Sequence, residues 1–290
     1  MAFPMADRTG DILLGMLDRP AEPRSGAPLV LIVHGLTGSE SSAYVLNAAR
    51  HLLGCGYPVL RLNLRGCGPS RLHCREHYHI GRTADFRRVL WQLPEDLTEN
   101  GIVAVGYSLG GAMLLKYLGE EGSFSPLRGA ATICAPIDLA GTGRHMTRPR
   151  NWLYHLYLLN DLKAEALAPG ALTSPEERAV IRAARSVQEY DDRFIAPRYG
   201  FRGVDDYYSL CSPLAYMPEV RVPTMVVASN DDPWIPAEHY RDFNWSDNPS
   251  LLPVMVPAGG HLGFHAHDCE RPWCDLAVEK FIDRLASLSA

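Results

Sequence analysis

The sequence predicts an α/β fold: a mostly parallel central sheet flanked by helices, with a helical insertion placed late in the chain. Three observations carry this expectation. Apolar runs alternate with helical patterns along most of the chain, as repeated strand–helix units require. The run Leu29-Val-Leu-Ile-Val33 is apolar at every position, the mark of a parallel strand covered on both faces. The stretch from 140 to 213 breaks the alternation and contains no convincing strand.

The elements follow in order. Residues 11–17 read as a short early strand. Pro20 to Pro28 is turn-rich, and Leu29–Val33 is the first long buried strand, ending at His34-Gly35. Residues 42–54 read as a helix that stops near Gly54. Tyr57 to Leu64 is the next strand, and 82–93 is an amphipathic helix halted by Pro94. Ile102-Val-Ala-Val105 is a short buried strand, followed at once by Gly106-Tyr-Ser-Leu-Gly-Gly111 and a helical run from Ala112 to Leu118. Residues 129–135 and 224–229 are further strands. Leu252–Val256 reads as the last one, although Pro253 counts against a strand there. Asp275 to Leu288 reads as a closing helix. Within the insertion, Ser174-Pro-Glu-Glu177 carries a capping box with proline at the first helical position. The expected organisation is therefore core at 1–139, helical lid or cap at 140–213, and core again at 214–290.

Bulk properties set limits. With 290 residues and 47% hydrophobic content, the chain can bury a sizeable core. A net charge of −5 argues against nucleic acid or an anionic membrane as partner, since both favour a basic face. The N-terminus lacks the basic and apolar regions of a secretory signal, and no apolar run reaches the length of a membrane helix. Seven scattered cysteines then read as free thiols. Together these imply a cytoplasmic protein without an integral membrane segment.

Gly106-Tyr107-Ser108-Leu109-Gly110 matches the pattern G-x-S-x-G. A buried strand precedes it and a helix follows it, which is the context in which such a serine becomes a nucleophile. The bland alternative is a glycine-rich strand-to-helix turn with an incidental serine. The helix start also favours negative charge, so the Leu109 N–H is a natural oxyanion donor. The loop His34-Gly-Leu-Thr-Gly38 after the first buried strand offers Leu36 N–H as the second donor. His34 itself could be mistaken for a base, but reads better as a structural histidine bonded to the loop backbone. A serine nucleophile needs a histidine and an orienting carboxylate. Asp231-Asp232-Pro-Trp-Ile-Pro236 follows a buried strand, and Asp232 is preferred as the acid with Asp231 bracing the loop. His261, framed by Gly259-Gly260 and Gly263, is the best-placed histidine for the base.

Two clusters look superficially like metal sites: Cys67, His73, Cys74, His77 and His79, and then His265, His267, Cys269 and Cys274. Neither has the spacing of known ligand sets. Nucleotide-binding glycine patterns are missing as well, so neither metal nor cofactor is expected. Trp152, Tyr154 and Tyr157 could shape a pocket under the lid, although core packing is the commoner use of such residues.

Several longer stretches resemble one known family. They are His34-Gly-Leu-Thr-Gly-Ser-Glu-Ser-Ser-Ala-Tyr-Val45, Asn63-Leu-Arg-Gly-Cys-Gly68, Tyr78-His-Ile-Gly-Arg-Thr-Ala-Asp85, Gly106 to Leu118 and Gly259-Gly-His-Leu-Gly-Phe264, with Asp205-Asp-Tyr-Tyr208 and Ser212-Pro213 ahead of the acid-bearing strand. The combination resembles the YheT-like branch of the α/β-hydrolase superfamily, which includes bacterial YheT-type hydrolases, plant embryogenesis-associated proteins and membrane-anchored animal lipases. The resemblance implies carboxylic-ester hydrolysis without a cofactor. It maps the triad onto Ser108, Asp232 and His261, with a small-molecule ester, acyl lipids included, as substrate. Thioester, lactone or amide cleavage on the same fold, and a non-catalytic scaffold, stay open as alternatives. The Tyr78–Gly81 stretch is characteristic of the branch and has no chemical role derived from its residues.

Overall fold

The computed structural model describes residues 1–267 and 269–287. Eight strands form one sheet: β1 (Ala2–Pro4), β2 (Ile12–Asp18), β3 (Leu29–Val33), β4 (Val59–Leu62), β5 (Ile102–Tyr107), β6 (Leu127–Ile133), β7 (Thr224–Ser229) and β8 (Leu251–Val256). Their order is β1-β2-β4-β3-β5-β6-β7-β8. β1 and β2 pair antiparallel, as do β2 and β4, and the remaining pairs are parallel.

Every residue of β3, β5 and β7 is buried. Alternate side chains feed two cores, one on each face of the sheet. Leu29, Leu31 and Val33 join Phe86, Leu114 and Leu118 on one side, where helices Thr83–Trp91 and Leu109–Glu121 pack. Val30 and Ile32 join Val45, Leu52 and Ile282 on the other, under helices Ala43–Gly54 and Trp273–Ser287. The strand order reverses between β3 and β5: the chain passes from β3 to β4 on one side, then to β5 on the other. Open α/β sheets bind ligands outside the carboxyl ends of the strands at such a point.

Between β6 and β7 the described chain is helical, with its longer helices at Leu139–Met146, Trp152–Ala166, Pro175–Ala183 and Val204–Cys211. The capping box at Ser174 forms as its sequence implies: the Ser174 hydroxyl accepts the Glu177 N–H, and the Glu177 carboxylate accepts the Ser174 N–H.

Two elements differ from expectation. The N-terminal strand β1 is too short to show any periodicity; it pairs with β2 and is anchored by the buried Phe3. β4 spans four residues rather than the eight from 57 to 64, because the Leu64 N–H turns away to His34 Nε2. Pro253 does lie inside β8, at the sheet edge, where a missing donor is tolerated. The closing helix runs Trp273–Ser287, and Leu288 lies outside the described residues. Among the described residues, no helix is long and apolar enough to cross a membrane. All seven cysteines are free thiols.

Candidate active site

Ser108 sits at the carboxyl end of central strand β5, immediately before helix Leu109–Glu121. Its backbone has φ 49° and ψ −119°, a conformation that L-residues avoid and that costs on the order of 1–3 kcal/mol. The neighbouring glycines make the turn possible. A Cβ at position 106 would lie 2.7 Å from the Gly110 carbonyl oxygen, so the helix could not fold back on the strand. A Cβ at 110 would collide with the carbonyl oxygens of Val33 and His34. The second glycine is thus required by the close approach of the end of β3.

The loop after β8 brings His261 to this serine. His261 Nε2 lies 3.0 Å from Ser108 Oγ, and Nδ1 lies 2.8 Å from Asp232 Oδ2. The loop after β7 holds Asp232 rigidly: its Oδ1 accepts N–H bonds from Trp234 at 2.8 Å and Ile235 at 3.0 Å. Asp231 points elsewhere. Its Oδ1 accepts the Gly259 and Gly260 N–H groups, each at 2.8 Å, and the Ser229 hydroxyl. The Ser229 hydroxyl first, and then the backbone donors, hold the Asp231 carboxyl below the usual carboxylate range. One aspartate therefore faces the imidazole, and its neighbour ties the histidine loop to the acid loop.

The loop after β3 lies beside Ser108. Gly35 N–H donates to the Tyr44 hydroxyl at 2.8 Å, and Thr37 N–H donates to the Tyr78 hydroxyl at 2.9 Å. Between them, Leu36 N–H has no protein acceptor among the described residues. Leu109 N–H opens a helix and so has no acceptor within it. His34 has both ring nitrogens engaged: Nε2 accepts the Leu64 N–H at 3.1 Å, so Nδ1 carries the proton and donates to Gly35 O at 2.8 Å. Burial pulls its pKa down to about 4, which keeps it neutral near pH 7.

Ser108, His261 and Leu36 open onto a cavity of about 570 Å³. Its far wall comes from the helices between β6 and β7, with Leu139, Met146, Leu158, Leu162 and Tyr208 among its lining residues. The aromatics of helix Trp152–Ala166 do not serve the core as expected. Trp152, Tyr154 and Tyr157 are 42%, 56% and 63% exposed, and Tyr157 rims the cavity. The helix turns this face outward and spends Leu158, Leu159 and Leu162 on the interior.

Two neighbours of the site were not singled out by sequence. The Trp234 ring lies against the His261 ring, with centroids 4.4 Å apart; its place two residues after Asp232 was the available signal. Cys134 follows β6 directly, with φ 50°, and sits beside Asp232 and His261. Nothing in its local sequence marks it. Burial holds its thiol protonated, well above the usual range. Cys134, Asp232 and His261 form one of two described groups whose potential ligand atoms lie within 4.8 Å of one another; the other is His51, Cys55 and Glu279. In the first, both imidazole nitrogens are taken by Ser108 and Asp232. In the second, an arginine intrudes, with Arg271 Nη1 2.7 Å from His51 Nδ1. The cysteine–histidine runs set aside in the sequence do not converge among the described residues. Cys74 bonds the Ile12 carbonyl, and His79 packs against Tyr199 and Tyr207.

Comparison with known proteins agrees with this architecture. The model of the alpha/beta hydrolase fold family matches residues 28–268. The YheT protein of Escherichia coli is 33% identical over 266 residues, covering 88% of this chain and 76% of its own. The medium-chain fatty acid ethyl ester synthase/esterase 2 of Saccharomyces cerevisiae is 30% identical, covering 90% of this chain; the chain spans only 63% of that relative's length. Among solved structures, Est1E of Butyrivibrio proteoclasticus with ferulic acid bound superposes with a TM-score of 0.62 at 15% identity, over 99% of each chain. That likeness speaks to the fold alone. Fold and relatives define an enzyme of the carboxylic ester hydrolase class. The chain belongs to the α/β-hydrolase family and, within it, to the YheT-like branch.

Proposed function

We propose that the protein cleaves carboxylic esters by acyl transfer through a Ser108–His261–Asp232 triad. The observation that carries this is the continuous hydrogen-bonded line from Ser108 Oγ to His261 (3.0 Å) and on to Asp232 (2.8 Å), on a strained strand-to-helix turn. His261 takes the Ser108 proton as Oγ bonds to the ester carbonyl carbon. Leu36 and Leu109 N–H groups hold the resulting oxyanion, each worth roughly 3 kcal/mol of barrier. His261 then passes its proton to the leaving alkoxide, and the acyl-enzyme forms. Water, deprotonated by the same histidine, attacks the acyl carbon and releases the acid and free Ser108. Asp232 keeps the proton on His261 Nδ1 and stabilises the transient imidazolium. Side chains and backbone amides supply every step.

In this proposal, residues 140–213 form the cap of the site. The apolar cavity under them takes the acyl portion of a small-molecule ester, acyl lipids included. Ser108→Ala should abolish p-nitrophenyl ester turnover and fluorophosphonate labelling while leaving the melting temperature within a few degrees of the parent. Full activity in that variant would remove Ser108 from the mechanism. A folded parent that neither labels nor turns over any of a panel of esters graded by acyl length would leave only a binding scaffold.

A further inference from the structure

The Tyr78–Gly81 stretch stands apart from the triad, yet it touches both halves of the site. We propose that Tyr78 is a positioning residue that joins the helical insertion to the oxyanion loop and keeps the Leu36 N–H aimed at the reacting carbonyl. This rests on the acyl-transfer reading above and adds to it the device that sets its oxyanion geometry.

The Tyr78 side chain is buried, and its hydroxyl makes two bonds of opposite sense. It accepts the Thr37 N–H at 2.9 Å and donates to Glu165 Oε2 at 3.2 Å. Glu165 belongs to helix Trp152–Ala166 of the insertion, so one hydroxyl bridges insertion and loop. Thr37 needs the support. Its φ is 55°, and a β-branched residue in the left-handed region is held there only by its surroundings. With Gly35 N–H on the Tyr44 hydroxyl and Gly38 N–H on the Gly35 carbonyl, the loop has its other amides occupied. Leu36 N–H is left for a ligand.

The rest of the stretch is fastened to the insertion as well. His77 N–H donates to the Tyr199 hydroxyl at 3.1 Å, and Ile80 N–H donates to the Tyr207 hydroxyl at 3.3 Å. Gly81 lies so close to the helix Val204–Cys211 that a Cβ there would sit 2.8 Å from Cys211 Sγ. A displacement of the insertion is thereby transmitted to Thr37 through a single side chain.

The test is Tyr78→Phe, with kcat and KM measured separately on a p-nitrophenyl ester. An oxyanion donor acts in the transition state, so a misaimed one lowers kcat with little change in KM. The expected loss in kcat is about tenfold to a hundredfold, and the inhibition constant of a trifluoromethyl ketone should rise by a similar factor. Glu165→Leu should reproduce the loss, Glu165→Gln, which keeps an acceptor oxygen, should recover most of it, and Tyr78→Phe combined with Glu165→Leu should cost little more than either alone. If Tyr78→Phe does not fold, the Glu165 pair decides. Parent-like kcat and inhibitor affinity in Tyr78→Phe, or in Glu165→Leu where that pair decides, would overturn the inference and leave the triad standing, as would a rise in KM alone. A parent enzyme with no ester turnover and no labelling of Ser108 would remove the acyl-transfer reading and this inference with it.

Discussion

At the scale of single residues, the site depends on which way adjacent side chains point. Ser108 and His261 were legible because glycines beside them dictate local backbone: a sharp strand-to-helix turn for one, a loop folding back over the sheet edge for the other. The aspartates were harder. Asp231 and Asp232 are neighbours in one turn, and their chemistry is the same in sequence. Only the loop backbone sends Asp232 to His261 Nδ1 and Asp231 to the Gly259 and Gly260 amides. The difference is measurable. Asp232→Asn should cost about 10³- to 10⁴-fold in kcat/KM on an ester substrate, because the histidine loses its tautomer and its counter-charge. Asp231→Ala should cost about tenfold, through a loosened histidine loop, and should lower the melting temperature. The opposite ranking would exchange their roles. Cys134 was silent in sequence for a related reason: it matters only because of what other strand ends place beside it.

At the scale of elements, the strands and helices with unbroken patterns were read almost to the residue, and misreadings fell where a tertiary bond ends or begins an element. β4 is cut short by the Leu64 N–H going to His34. β1 exists because β2 offers it an edge and because buried Arg65 gathers the N-terminal segment. Arg65, within the Asn63–Gly68 stretch, makes a two-bond contact with Asp85 at 2.6 and 2.8 Å and further ion pairs with Asp7 at 3.0 Å and Asp11 at 2.8 Å. It ties the N-terminus to helix Thr83–Trp91. Arg65→Met should therefore destabilise the fold by about 3–5 kcal/mol, since it strands buried carboxylates rather than removing a balanced pair. Chemical denaturation would measure this, and a loss under about 1 kcal/mol would show that the carboxylates find other partners. The insertion's helices were foreseen, but the outward turn of Trp152, Tyr154 and Tyr157 was not. An aromatic, leucine-rich helix has apolar residues on more than one face, and its neighbours decide which face is covered.

At the scale of the whole molecule, enclosing the cavity has an electrostatic consequence. Burial pushes the Asp191 carboxyl, which lines the cavity, up to about 7, against the lowering effect of the Tyr208 hydroxyl. An acid whose folded pKa is raised binds its proton more tightly in the folded state. Its contribution to stability is complete below the unfolded value of 3.8 and is lost as pH rises through about 7. Asp191→Asn, which retains an acceptor for Tyr208, should therefore match the parent near pH 4 and exceed it at pH 8, by about 4 kcal/mol at most. Melting curves at the two pH values test this; equal curves at pH 8 would mean that Asp191 ionises freely in the folded protein. The sequence by itself determined the layered α/β architecture, the helical stretch between two core strands, a serine and a histidine that the fold brings within hydrogen-bond reach, and the branch of the family. Each of these is written in local pattern: burial period, glycine-enforced turns, contiguous motifs. Tertiary structure decided which of two adjacent aspartates faces His261, the amide left free in the loop after β3, the outward aromatics and the bridge through Tyr78. Those depend on chain ends brought together where the strand order reverses between β3 and β5, and a distance between segments far apart in the chain is not encoded in either segment alone.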